Sequence, residues 1–163
     1  MFIIIFIFIF SIMSPKHWGP PIWALFHTMA EKIKEEHYPE MYEQILNWIK
    51  QICRDLPCPD CANHATQFMK KVELKTIRTK TELKMMLFVF HNMVNNKKGF
   101  AIYKSEHLDK YKENRLPAVY QMFAVTYNMR LGNLRLMSDS NARRQTIVGL
   151  SQWFNLNKDK FDV

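Results

Sequence analysis

A chain with only four glycines among 163 residues has few positions where the backbone can turn sharply, and its methionine- and lysine-rich remainder favours helices over strands. The expected fold class is all-α. With 48% hydrophobic and 13% aromatic residues, a chain of this length buries a substantial core in one compact domain without help from a partner.

Periodicity divides the chain into helices. Tyr42, Ile45, Trp48, Ile49 and Ile52 recur at helical spacing and predict a helix over about 39–54. Before it, Pro20 and Pro21 are expected to open a helix that runs to about residue 36, with Trp23, Phe26, His27 and Ala30 on one face. A third helix is expected from Cys58 or Pro59 to near Val72. A fourth covers 79–96, with Thr81, Glu82 and Lys84 on its polar side and Met85, Leu87, Phe88 and His91 turned inward. A short fifth piece over about 105–114 carries Leu108 and Tyr111. Beyond Leu116-Pro117, read as a break, 118–131 is amphipathic and Gly132 ends it. Asp139, Ser140 or Asn141 then caps a last helix carrying Ile147, Leu150, Trp153 and Phe154.

The chemistry concentrates in Leu56-Pro57-Cys58-Pro59-Asp60-Cys61-Ala62-Asn63-His64. Pro57 disfavours helix at Leu56 and Pro59 suits the first turn of a new one, so Cys58 falls near the N-cap. Unpaired amides and the positive end of the helix dipole favour a thiolate there. Cys61 lies one turn deeper, where its sulfur is better shielded and His64 is its neighbour at i+3. The pair offers an accessible sulfur for exchange and a sheltered one for internal chemistry. Some thirty residues on, Phe90-His91-Asn92-Met93-Val94-Asn95-Asn96 places His91 and Asn95 on one helical face, which suggests a planar cofactor beside a redox site.

Other readings compete. A Cys-x-x-Cys followed by His is half a zinc site, and the alternative function is a zinc-stabilised helical interaction module. The chain has only Cys53, Cys58 and Cys61, however, and no second ligand pair. A thioredoxin-like motif needs a preceding strand, and here an amphipathic helix precedes it. Cys53 is expected to be a buried free thiol at the end of its helix, with a resolving role as the alternative. The formal charge of +8 is compatible with nucleic acid or an acidic membrane as partner. The lysines are dispersed and coincide with no nucleic-acid module, so they read as a solvated surface, with part of the group from Lys97 to Lys112 placed to neutralise a pyrophosphate.

Residues 1–13 form an apolar run too short to span a bilayer as a helix, without a basic n-region or a small-residue cleavage pattern. A membrane anchor, a hydrophobic cap on the fold and an upstream extension of a domain that starts at Met13-Ser14-Pro15 remain as readings, the last being favoured.

Three motifs in order, Trp18-Gly19-Pro20-Pro21-Ile22-Trp23-Ala24-Leu25-Phe26-His27, Pro57-Cys58-Pro59-Asp60-Cys61-Ala62-Asn63-His64 and His91-Asn92-Met93-Val94-Asn95, resemble the Erv/ALR family of flavin-linked sulfhydryl oxidases. In its compactness the chain is similar to members found in large DNA viruses. The resemblance covers about residues 15 to 115. It implies a four-helix bundle with a short fifth helix holding FAD, in a domain over 14–115, followed by a helical C-terminal extension over 116–163. It implies Cys58 and Cys61 as the catalytic pair and Gly19, Trp23, His27, His64, His91, Asn92 and Asn95 as cofactor-binding residues, with no metal. Lys97 and Tyr111 join them only after a one-residue shift of the alignment.

The implied reaction is oxidation of a protein dithiol or of a small thiol carrier, with molecular oxygen as acceptor and hydrogen peroxide as product. A homodimer is implied, with no nucleic-acid partner, in a host cytoplasm or virion, membrane association through residues 2–13 staying open. Three departures from the family pattern stand out. Pro20 occupies the place where many relatives carry Arg. Leu87, Phe88 and Val89 stand where a structural cysteine commonly precedes the His-Asn motif. No second cysteine pair is present to act as a shuttle. The residues after 115 lie outside the resemblance and are expected to pack on the bundle or dimer, with docking of a carrier as the alternative.

Overall fold

A computed structural model describes residues 15–128 and 137–162. The apolar run 1–13 and Gly132 lie outside the described residues. Four helices form the frame: α1 (Pro15–Lys32), α2 (Tyr38–Arg54), α3 (Pro59–Lys71) and α4 (Lys80–Lys98). A 3-10 helix over Ser105–Glu113 follows, then α5 (Leu116–Tyr127) and α6 (Met137–Leu156). Among the described residues the β structure amounts to an isolated antiparallel bridge between Ile33 and Phe161. The all-α expectation is met.

The start and stop signals act where the side chains can satisfy free backbone groups. Thr79 Oγ1 accepts the Glu82 N–H at 3.2 Å and Glu82 Oε2 accepts the Thr79 N–H at 2.8 Å, a reciprocal cap on α4. Its other end stops at Gly99, whose φ of +68° is cheap only for glycine.

Packing places α1 between α4 and α5, and α2 between α3 and α6. Leu25 and Met29 of α1 and Ile33 just past its end meet Ile45, Leu46, Ile49 and Ile52 of α2, Leu83 and Leu87 of α4, Phe123 of α5 and Leu150 of α6 in one core, all with no measurable exposure. Truncating such a residue to Ala costs about 2–5 kcal/mol. Lys84 of α4 pairs with Glu31 near the end of α1, and His91 of α4 stacks on Trp23 nearer its start. Rising numbers on one helix therefore meet falling numbers on the other, and α1 and α4 are antiparallel.

The C-terminal helices are fastened to this frame by specific polar bonds. Trp153 Nε1 donates to Gln44 Oε1 at 2.7 Å, Gln51 Nε2 donates to Thr146 Oγ1 at 2.9 Å, and the Tyr127 hydroxyl donates to the Ile52 carbonyl at 3.1 Å. At Gly149 a Cβ would stand 3.0 Å from Cη2 of Trp48, so the missing side chain is what lets the indole lie against α6.

Several sequence expectations need correction. Helix α1 begins at Pro15 and carries Pro20 and Pro21 inside it; proline's fixed φ is helical, but each ring gives up an N–H and crowds the carbonyl four residues before it. It ends at Lys32 rather than near residue 36. There the chain tail takes over the backbone: Asp162 N–H donates to the Lys32 carbonyl at 2.7 Å and Lys34 N–H to the Lys160 carbonyl at 2.9 Å. Leu116-Pro117 opens α5 instead of breaking the chain, since Pro117 falls in the first turn where an N–H is not needed. Asp139, Ser140 and Asn141 lie within α6, not at its cap. On α4, Met85 points outward at 58% exposure, and Leu83 and Met86 take the inward places.

Candidate functional site

The disulfide end of the site is set by local backbone. Cys58 is the N-cap of α3 with extended φ and ψ of −102° and 114°, Pro59 stands in the first turn, and Cys58 Sγ accepts the Cys61 N–H at 3.3 Å. Cys58 and Cys61 are joined as a disulfide, with their Cα atoms 5.2 Å apart. Cys61 lines a cavity of about 730 Å³, whereas Cys58 does not. His64, one turn on from Cys61, also lines it and contacts Lys97 Nζ of α4 through Nε2. Cys53 is free, 1% exposed, and forms part of the same wall; burial pushes its thiol pKa far up, so it stays protonated.

The opposite end is a stack of aromatic rings. His91 lies flat on Trp23, with centroids 4.1 Å apart and planes within 6°, and Tyr103 stacks on its other side at 4.6 Å. Tyr111 stacks on His27 at 4.8 Å. Phe68 of α3 stacks at 4.4 Å on Phe90 of α4, which packs edge-on against Trp23 at 5.1 Å. Tyr103 reaches this position because Asn92 holds its backbone twice: Nδ2 donates to the Tyr103 carbonyl at 2.9 Å and Oδ1 accepts its N–H at 2.7 Å. Asn95 Nδ2 ties down the same loop at the Ala101 carbonyl, 3.1 Å away. Tyr103 Oη donates to the His107 carbonyl at 3.0 Å and lies 3.1 Å from the Tyr111 hydroxyl. Lys110 Nζ stands 5.2 Å and 5.0 Å from the centroids of the two tyrosine rings, within cation–π range.

Electrostatically the interior is neutral and the rim positive. His27 Nε2 and His91 Nδ1 are 3.0 Å apart and buried, one ring donating to the other. Burial, then His91 and Lys110, lower the His27 pKa to about 3; burial and Lys110 lower that of His91 to about 4. Both imidazoles are uncharged at neutral pH. Burial and the Tyr103 bond push the Tyr111 hydroxyl up. Lys97, Lys98 and Lys110 line the cavity as cations.

Of the residues singled out from sequence, Gly19, Trp23, Cys61, His64, His91, Asn95, Lys97 and Tyr111 line the cavity together. His27 and Asn92 do not: they stand behind it, holding His91 and Tyr103 respectively. Nothing lies within 4 Å of where a Cβ would be at Gly19, so no steric demand for glycine exists there. Sequence reasoning missed Tyr103 and Asn114 as lining residues, and reached Lys98 and Lys110 only as members of the lysine group placed to neutralise a pyrophosphate. Trp18 opens the first motif, and its place in the wall was not drawn from it. Among the described residues no group of three or more His, Cys, Asp and Glu side chains gathers as a metal site.

The volume is that of a small-molecule or cofactor site. Flat aromatic walls suit a planar heterocycle and the lysines suit anionic groups. The residues present fit a dinucleotide carrying an aromatic redox ring.

Comparisons with known proteins agree with that donor set. Residues 20–117 match the sequence model of the Erv1/Alr family. A FAD-linked sulfhydryl oxidase of African swine fever virus (a Warthog/Namibia isolate) is 32% identical over 105 residues, which cover 63% of this chain and 87% of the viral protein. Its counterpart from a Pig/Kenya isolate is 31% identical over the same span and shares. A FAD-linked sulfhydryl oxidase of Saccharomyces cerevisiae is 29% identical over 80 residues, covering 49% of this chain and 40% of the yeast protein. No solved structure matches the chain.

Proposed function

This chain belongs to the Erv1/Alr family, and from that premise we propose that it is a FAD-dependent sulfhydryl oxidase working through the Cys58–Cys61 pair, with oxygen as acceptor. One observation carries the reading of the pair: the disulfide bridges from the start of α3, outside the cavity, to a sulfur inside it. Cys58 is thus the sulfur offered to substrate and Cys61 the one offered to the cavity.

The first step is attack of a substrate thiolate on Cys58 Sγ. A substrate–Cys58 disulfide forms, the Cys58–Cys61 bond breaks, and Cys61 leaves as a thiolate toward the cavity. The second substrate thiol, deprotonated, attacks its own sulfur in the mixed disulfide and releases oxidised substrate, leaving Cys58 reduced. The free amides at the start of α3, among them the Cys61 N–H, stabilise the Cys58 thiolate set free by that second attack.

The chemistry that FAD supplies when bound is acceptance of the two electrons of the resulting dithiol and their delivery to oxygen, which becomes hydrogen peroxide. Overall, two thiols and one oxygen molecule give one disulfide and one hydrogen peroxide. Trp23, His91, Tyr103 and Tyr111 would hold the cofactor's rings, Asn95 and Cys61 line its path, and Lys97, Lys98 and Lys110 would neutralise its pyrophosphate. His27 and Asn92 position His91 and Tyr103.

Protein dithiols, reached directly or through a small thiol carrier, are the substrate class, since no second cysteine pair exists in this chain to relay electrons. The same reading has the enzyme act as a homodimer in a host cytoplasm or virion. No described helix is long and apolar enough to cross a membrane.

The test is direct. Denaturing the purified protein should release FAD, and Cys58→Ser and Cys61→Ser should each reduce oxygen consumption with a small dithiol to background while the flavin stays bound. Release of no flavin sinks the cofactor reading; turnover surviving either substitution sinks the role of the pair.

A further inference from the structure

The middle of α1 is buried without a break from Leu25 to Ala30. Six consecutive side chains point in every direction around a helix, so no side of α1 is left there for another chain. The outer positions of α2 and α3 are polar, as at Glu40, Glu43 and Asn47 on the first and Asp60, Asn63 and Gln67 on the second. α4 differs. Its Met85, Val89 and Met93 stand outward at 58%, 46% and 52% exposure, each about one turn from the next. Single exposed apolar residues are ordinary, but a continuous row marks an interaction surface. Asn92 and Asn95 hold the backbone of Tyr103 and Ala101 against α4, and Ile102 between them, also exposed, adds apolar surface beside the row.

Glu82 and Asn96, both exposed, extend the row at its two ends on the same narrow arc of the helix. An apolar centre between polar ends is the anatomy of an interface core with its rim. The lysine within this stretch, Lys84, is turned away to Glu31 of α1, so the centre of the row carries no charge. In a chain of net charge +8, that is where two copies meet with least repulsion.

The row also complements itself. A twofold contact sets the same surface against itself, so whatever stands on one side of the axis must suit what stands on the other. With α4 antiparallel to its copy and Val89 at the axis, Met85 meets the partner's Met93 and Glu82 meets the partner's Asn96. The spacing is symmetrical about Val89, and a carboxylate faces an amide donor instead of another carboxylate. A helix of an unrelated partner requires no such symmetry.

We propose that two copies of this chain associate through this face, α4 against α4 in antiparallel register about Val89. The inference rests on the homodimer reading given above and names its interface.

The experiment is sedimentation velocity of the purified full chain over a range of concentrations. The wild type should be a dimer, and Val89→Glu, which sets two like charges together at the axis, should weaken it by about a hundredfold or more. Met85→Glu should weaken it too, and adding Met93→Lys to the same chain should restore it, because the new charges pair only across an antiparallel contact. Val125→Glu, on the exposed side of α5, should change nothing. None of these residues lines the cavity, so every variant should keep its flavin. A dimer that survives Val89→Glu, or that Val125→Glu dissociates, overturns this interface and leaves the homodimer reading standing; so does a double variant that stays apart. A wild type that is monomeric throughout overturns both and leaves the oxidase reading untouched. Should Val89→Glu fail to fold, Met85→Glu and its charge-paired double variant decide.

Discussion

At the disulfide end of the cavity, geometry is set within a few residues: α2 stops at Arg54, Pro59 stands in the first turn of α3, and Cys58 caps α3 while bonded to Cys61. At the other end, His27, His91, Tyr103 and Tyr111 come from α1, α4, a loop and a 3-10 helix, and no single segment determines where any ring lies. On the proposed function the first end carries the reactive sulfurs and needs only a helix start to tune them, and the second end is a neutral, stacked cage whose work is to bind. Chemistry and binding are therefore separable by mutation in this molecule, and a change at one end should leave the other nearly untouched.

The largest separable effect is expected at Asn92, whose side chain makes two hydrogen bonds to the Tyr103 backbone. Asn92→Ala frees the loop and removes about 1–3 kcal/mol of support. Retention of FAD, followed by fluorescence on dilution, should fall by roughly ten- to a hundredfold by the same principle, with the Cys58–Cys61 disulfide still forming. Loss of the disulfide together with the flavin would show that the two ends are not independent.

A smaller effect concerns acid stability. His27 and His91 have folded pKa values of about 3 and about 4 against an ordinary value of 6.5. As pH falls below 6.5 the unfolded chain gains these protons and the folded one does not. The stability fully present above pH 6.5 is therefore lost between pH 6.5 and the two folded values. The Tm should drop over that interval, and His27→Gln should flatten the drop without changing disulfide formation. A Tm indifferent to pH in this interval would contradict the neutral pairing.

The smallest effect on turnover is expected at Cys53. Its thiol is buried, protonated and on the cavity wall, so Cys53→Ser should keep most oxidase activity with a small dithiol. Burying a hydroxyl there costs stability of order 1–3 kcal/mol, read from denaturant midpoints. Activity lost with flavin and fold intact would make Cys53 a third redox member.

The disulfide end was legible in sequence because proline and helix-start chemistry act locally; Cys58 lies at the N-cap where Pro57 and Pro59 put it. The helical periods located α2 and α3 to within a residue or two for the same reason. The cage was legible only as far as motif resemblance reached, to Trp23, His27, His91, Asn92, Asn95 and, after a one-residue shift of the alignment, Tyr111. Tyr103 and Lys110 carry no periodic signal, because their places depend on a side-chain amide eleven residues before Tyr103 and on a 3-10 helix. The early end of α1 was equally invisible. It follows from the tail around Phe161 pairing beside Ile33, a contact between opposite ends of the chain.

The central claim is the division of labour between the two sulfurs, and the visible spectrum of the flavin tests it most directly. In Cys58→Ser the remaining Cys61 thiolate, on the cavity wall, should give a long-wavelength charge-transfer band with oxidised flavin that fades as pH falls through the thiol pKa. In Cys61→Ser that band should be absent, and Cys58 should instead trap a dithiol substrate as a mixed disulfide. A band from Cys58 with trapping by Cys61 would contradict the account.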